Sequence, residues 1–65
     1  MNDATIIQLL TVSDVANEVE RTPQFVRGWV RSNKIPMQYR LQIMRLASTR
    51  GLDLNNETFL TGRNQ

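Results

Sequence analysis

A chain of 65 residues has room for one small domain, and folding at this size buries only about 60% of the surface that the unfolded chain exposes. Without cysteine or histidine there are no disulfides and none of the usual zinc ligand sets, so stability must come from packed side chains or a partner subunit, and no metal or cofactor is expected. The net charge of +2 hides an asymmetry: residues 1–20 hold Asp3, Asp14, Glu18 and Glu20 but no base, whereas residues 21–50 hold Arg21, Arg27, Arg31, Lys34, Arg40, Arg45 and Arg50 but no acid. A one-sided field of this kind favours a polyanionic partner. No apolar run exceeds three residues, and the N-terminus carries Asp3 and no base, so neither a signal peptide nor a membrane span is expected and the protein is read as cytoplasmic.

In chain order, Asn2 or Asp3 can cap a first helix whose Ile6, Ile7 and Leu10 share a face. Thr11-Val12-Ser13-Asp14 reads as a capping box, with the Thr11 hydroxyl accepting the Asp14 amide and the Asp14 carboxylate reaching back. Val12, Val15, Ala16 and Val19 then recur at the helical spacing. That second helix stops near Glu20, because Thr22 is a good cap and Pro23 suits the first position of a new helix. The third helix carries Phe25, Val26, Trp29 and Val30 on its apolar side and closes at Asn33, ahead of the break at Pro36. Residues 37–50 predict a fourth helix, with Tyr39, Ile43, Leu46 and Ala47 on one face, Met37, Leu41 and Met44 beside it, and Gly51 as its stop. Asn55 or Asn56 could cap a short fifth helix holding Phe59 and Leu60, leaving 61–65 frayed. There is no repeat, linker or convincing strand, so the expectation is an all-α, five-helix single domain over 1–65.

The chemistry concentrates in the third helix. Gln24, Arg27, Gly28 and Arg31 form one polar stripe opposite Phe25, Val26, Trp29 and Val30. A short capped helix, a tight turn at Glu20-Arg21-Thr22 and a second helix with this outer face describe a helix-turn-helix over about 11–33, whose second helix enters the DNA major groove. Gln bonds adenine bidentately and Arg does the same to guanine, so Gln24, Arg27 and Arg31 are the base-reading candidates. Gly28, which costs a helix roughly 1 kcal/mol relative to alanine, would let the backbone seat closely on the bases. Trp29 belongs to the core. Thr11 and Ser13, at the start of the second helix, and Arg21, Thr22, Lys34 and Arg40 are the phosphate candidates. Arg45 and Arg50 read as solvated residues favoured by a helix C-terminus. The acidic pairs Asp14/Glu18 and Asp53/Glu57 lack a third ligand and also read as solvated, so an enzyme is not expected.

Val15-Ala16, Thr22-Pro23-Gln24, Val26, Trp29, Ile35-Pro36 and the tail RGLDLNNETFL together resemble the Cro-like helix-turn-helix regulators of phages and prophages, over roughly residues 5–60. The resemblance implies that Thr22, Gln24, Arg27, Gly28 and Arg31 face DNA, and that the protein is a sequence-specific transcriptional regulator, a repressor of a phage or mobile element. The turn departs from that pattern, with Glu20-Arg21 where a glycine and an apolar residue are usual. TVSDVA and VRGWVRSNKIP also resemble the excisionase and MerR-type helix-turn-helix, but a β-wing follows I-P there and a helical period follows it here. The expected partner is double-stranded DNA, bound by a homodimer with Leu52, Leu54, Phe59 and Leu60 available for pairing. No membrane or small-molecule ligand is implied. The alternatives are an excisionase-like architectural DNA-binding protein and a small protein-interaction adaptor.

Overall fold

The first three helices begin where the sequence supplies a cap. In a computed structural model, which describes residues 2–54 and 59–60, the Asn2 side chain accepts the Thr5 amide (2.9 Å) and opens α1 (Asp3–Leu10). Thr11 Oγ1 accepts the Asp14 amide (3.3 Å) at the head of α2 (Val12–Val19). Thr22 Oγ1 accepts the Phe25 amide (3.2 Å) ahead of Pro23, the first residue of α3 (Pro23–Ser32). The last helix, α4 (Arg40–Thr49), lacks a side-chain cap and is entered through a 3-10 turn, Met37–Tyr39, in which the Tyr39 amide bonds the Pro36 carbonyl (3.1 Å).

The helix ends use left-handed residues, as their sequences suggest in two cases out of three. Asn33 (φ 55°) closes α3, and its side-chain oxygen accepts the Ala4 amide (3.0 Å), tying the end of α3 to the start of α1. Gly51 (φ 72°) follows α4, with the Leu52 amide bonding back to the Ala47 carbonyl (2.9 Å). At the end of α2 the position is filled by Glu20 (φ 58°, ψ 45°), with the Arg21 amide bonding the Ala16 carbonyl (3.0 Å). The usual glycine of this turn is therefore missing while its geometry is kept. A greater departure lies between α1 and α2, where Thr11 alone makes the joint at φ 77°, ψ 143°, a region that a β-branched residue adopts only at a cost of about 1–3 kcal/mol.

Packing follows the apolar periodicity. Ile6, Ile7 and Leu10 of α1, Val15, Ala16 and Val19 of α2, Val26 and Trp29 of α3, and Ile43, Leu46 and Ala47 of α4 meet in one core, with Ile35 and Tyr39 supplied by the connection. α3 packs on both α1 and α2, and α2 also packs on α4. The expected fifth helix is a correction: the elements formed by the described residues include four α-helices. Its proposed opening at Asn55 or Asn56 lies outside the described residues, and Phe59 is buried within the core. The predicted helix over 37–50 is likewise shorter, since its first turn is 3-10. Met37 and Leu41, expected beside its apolar face, are exposed. A 3-10 turn winds tighter than an α-helix, which rotates Met37 off the register that a continuous helix would give it. No strand occurs among the described residues.

One charged pair is internal. Asp3, read from the sequence as an alternative cap, turns inward instead: its Oδ2 accepts the Ile35 amide (2.8 Å) and pairs with Arg40 Nη2. Arg40 Nη1 donates to the Phe59 carbonyl (3.0 Å), and the guanidinium lies 5.0 Å from the Phe59 ring centroid. Both side chains are 3% exposed, so this pair joins the start of α1, the connection and the chain beyond α4.

Candidate nucleic-acid interface

α3 is the only helix to expose a run of long donors on one face among the described residues. Gln24, Arg27 and Arg31 are exposed and have no hydrogen-bond or ion-pair partner among the described residues, while Val26 and Trp29 on the opposite side are buried. The fold holds this face outward through its core contacts with α1 and α2 and through the two terminal caps. Gly28 lies in the middle of the stripe. Its φ is not positive, and a Cβ built on it would meet no atom within 4 Å. α3 continues through it to Ser32, so the glycine neither breaks the helix nor makes room for a neighbouring side chain.

The phosphate candidates divide. Ser13 and Lys34 are exposed and have no side-chain partner among the described residues. Thr11 and Thr22 are exposed too, but each hydroxyl already accepts a backbone amide as a cap, which leaves only its own O–H to donate. Arg40 is a correction. At 2% exposure, held by Asp3 and the Phe59 carbonyl, it cannot reach a phosphate on the surface, and its charge is spent inside the fold. Arg50 is solvent-exposed at the end of α4, as its sequence position suggests, and it gains a partner the sequence did not reveal: its Nη2 lies 2.9 Å from Asp14 Oδ2. Asp14 is the residue expected to complete the capping box with the Thr11 amide, and the bond it makes is to Arg50.

Arg21 is exposed and partly held. Its Nε donates to the Tyr39 hydroxyl (3.0 Å), and its guanidinium carbon stands 5.1 Å from the Phe25 ring centroid. Phe25, expected on the buried side of α3, is 44% exposed and borders the polar stripe. Tyr39 enters the surface chemistry in a way the sequence did not reveal, since its spacing marked it only as core.

Leu54 and Phe59, expected to support pairing between two copies, are buried in the chain's own core, and Leu52 packs against that core. No group of three or more potential metal ligands occurs among the described residues, and no described helix is long and apolar enough to cross a membrane. Compared with known proteins, the chain matches no family model, no curated protein and no solved structure.

Proposed function

We propose that this chain is a Cro-like helix-turn-helix regulator that binds double-stranded DNA and inserts α3 into the major groove. The observation that carries the reading is the stripe on α3: Gln24, Arg27 and Arg31 stand exposed, without partners among the described residues, around a glycine for which the fold itself has no steric need. Unpaired side-chain donors of these types suit purine edges, Arg to guanine and Gln to adenine. Arg21 and Lys34 flank the stripe in sequence and supply charge for the backbone, with Ser13 and the hydroxyls of Thr11 and Thr22 as lesser donors. The short α2, the left-handed turn at Glu20 and the capped start of α3 give the supporting order of elements. The helical segment after Ile35-Pro36 favours this reading over the excisionase-like one, which calls for a wing at that point.

As a repressor of this kind the protein would work as a homodimer on half-sites roughly 34 Å apart. The test begins with selection from a random duplex pool. Enrichment of a short motif, with affinity for it falling as salt rises, supports the reading. Enrichment of nothing, with binding no better than that of any protein of equal charge, overturns it. Sedimentation with the selected duplex then decides the stoichiometry, and one copy on an asymmetric motif would remove the dimer.

A further inference from the structure

Beside the stripe, an arginine is held by aromatic rings rather than by an acid. Tyr39 packs on Trp29 with ring centroids 5.0 Å apart, and Phe25 meets both, at 5.5 Å from Trp29 and 6.3 Å from Tyr39 in edge-to-face geometry. Because Trp29 and Tyr39 are only 6% and 8% exposed, this group is anchored in the core and reaches the surface at Phe25. Arg21 rests on it. The Nε bond to Tyr39 and the stacking on Phe25 fix both the inner edge and one face of the guanidinium. Its terminal amino groups have no partner among the described residues. Arg21 lines a surface depression together with Glu20, Thr22 and Phe25, at the entrance to α3.

We infer that Tyr39 is a positioning residue which presets Arg21 as a fork for one phosphate of the DNA backbone, at the side of the groove that α3 enters. The inference rests on the DNA-binding reading and adds to it a named pair and its geometry. A guanidinium takes phosphate bidentately with two parallel N–H groups, and one already fixed at Nε and on its face loses less rotamer freedom on contact than a free arginine. A lysine could not substitute, since an ammonium cannot hold Tyr39 and present a fork together. Glu20, on the same rim, opposes an anion there and sets a limit on how strongly the site holds one.

The test uses the full chain and the duplex that it selects. Arg21→Gln should lower affinity about tenfold and reduce the salt slope by roughly one unit, as loss of one phosphate contact does. Tyr39→Phe keeps the ring stack, and so the melting temperature, but should lower affinity about threefold without changing the slope. In the Arg21→Gln background it should do nothing further, because coupled residues are not additive. Replacing single phosphates by neutral methylphosphonates should find a position that weakens the wild type and is silent for Arg21→Gln. Equal effects of Tyr39→Phe in both backgrounds, or no such silent position, would overturn the inference while leaving DNA binding standing. Failure of the wild type to select any duplex would overturn both, and so identifies the other cause.

Discussion

Arg40 and Arg27 carry the same side chain and belong to the same basic half of the sequence, yet the fold uses them in opposite ways. Arg40 is sealed against Asp3 and the Phe59 carbonyl, and holds three distant parts of the chain together. Arg27 stands in solvent on α3 with no partner among the described residues. A buried arginine needs a partner because its desolvation is expensive, so its charge is cancelled within the molecule. An exposed arginine without one keeps its field and its donors for something outside. Net charge alone therefore overstates what a basic segment offers to a polyanion, and the partners of each side chain decide the remainder.

Unpairing the internal charge should have the largest effect on the fold. Asp3→Ala strands Arg40 in the interior and leaves the Ile35 amide without its acceptor, which should destabilise by about 3–5 kcal/mol. That is as much as a core of this size is expected to supply, so the variant should be largely unfolded by circular dichroism at room temperature. The double change Asp3→Leu with Arg40→Met should be less destabilised than Asp3→Ala, since no charge is stranded, although the Ile35 amide and the Phe59 carbonyl still lose their partners. A stable Asp3→Ala protein would show that the pair is dispensable.

Arg27→Ala should give the reverse pattern. Its denaturation midpoint should stay within about 0.5 kcal/mol of wild type, as for most surface changes. Binding to the selected duplex should lose about 1–3 kcal/mol, with discrimination relaxed at one base pair. Competition assays against random duplex decide the matter, because equal loss on both would make Arg27 a phosphate contact.

Local rules made most of this surface readable, and non-local contacts hid the rest. The caps at Thr11 and Thr22, the left-handed Asn33 and the stripe on α3 all depend on neighbours within a turn or so, so spacing along the chain is enough to find them. Arg40 finds Asp3, and Arg21 finds Tyr39, only after the helices have packed, and nothing in the local pattern distinguishes those arginines from Arg27. The 3-10 entry to α4 escaped for a related reason. Its residues satisfy the α-helical period, and the tighter turn becomes visible only in the exposure of Met37.

The two joints around α2 give a smaller contrast. At both, a residue with a side chain occupies backbone that glycine would enter freely, but Glu20 sits in the ordinary left-handed well and Thr11 outside it. Thr11→Gly should therefore raise stability by roughly 1 kcal/mol even though it removes the cap, because a glycine cap is only a few tenths worse than threonine. Glu20→Gly should gain less. Thermal melts of the two variants rank the strain directly, and a lower melting temperature for Thr11→Gly would mean that the hydroxyl matters more than the backbone.

Gly28 gives a small effect on stability and the finest test of the surface. Glycine within a helix is less favourable than alanine by about 1 kcal/mol, and here no neighbouring atom stands where a Cβ would go. Gly28→Ala should therefore melt higher than wild type, by an amount corresponding to roughly 0.5–1 kcal/mol. If the glycine exists so that the backbone of α3 can approach the bases, the same variant should bind its selected duplex less tightly, and Gly28→Leu should not bind it at all. Stability and affinity would then move in opposite directions at a single position, which a defect in folding cannot produce. Should Gly28→Ala bind as well as the wild type, α3 approaches DNA through its long side chains alone. Gln24, Arg27 and Arg31 would then account for recognition without any close backbone contact.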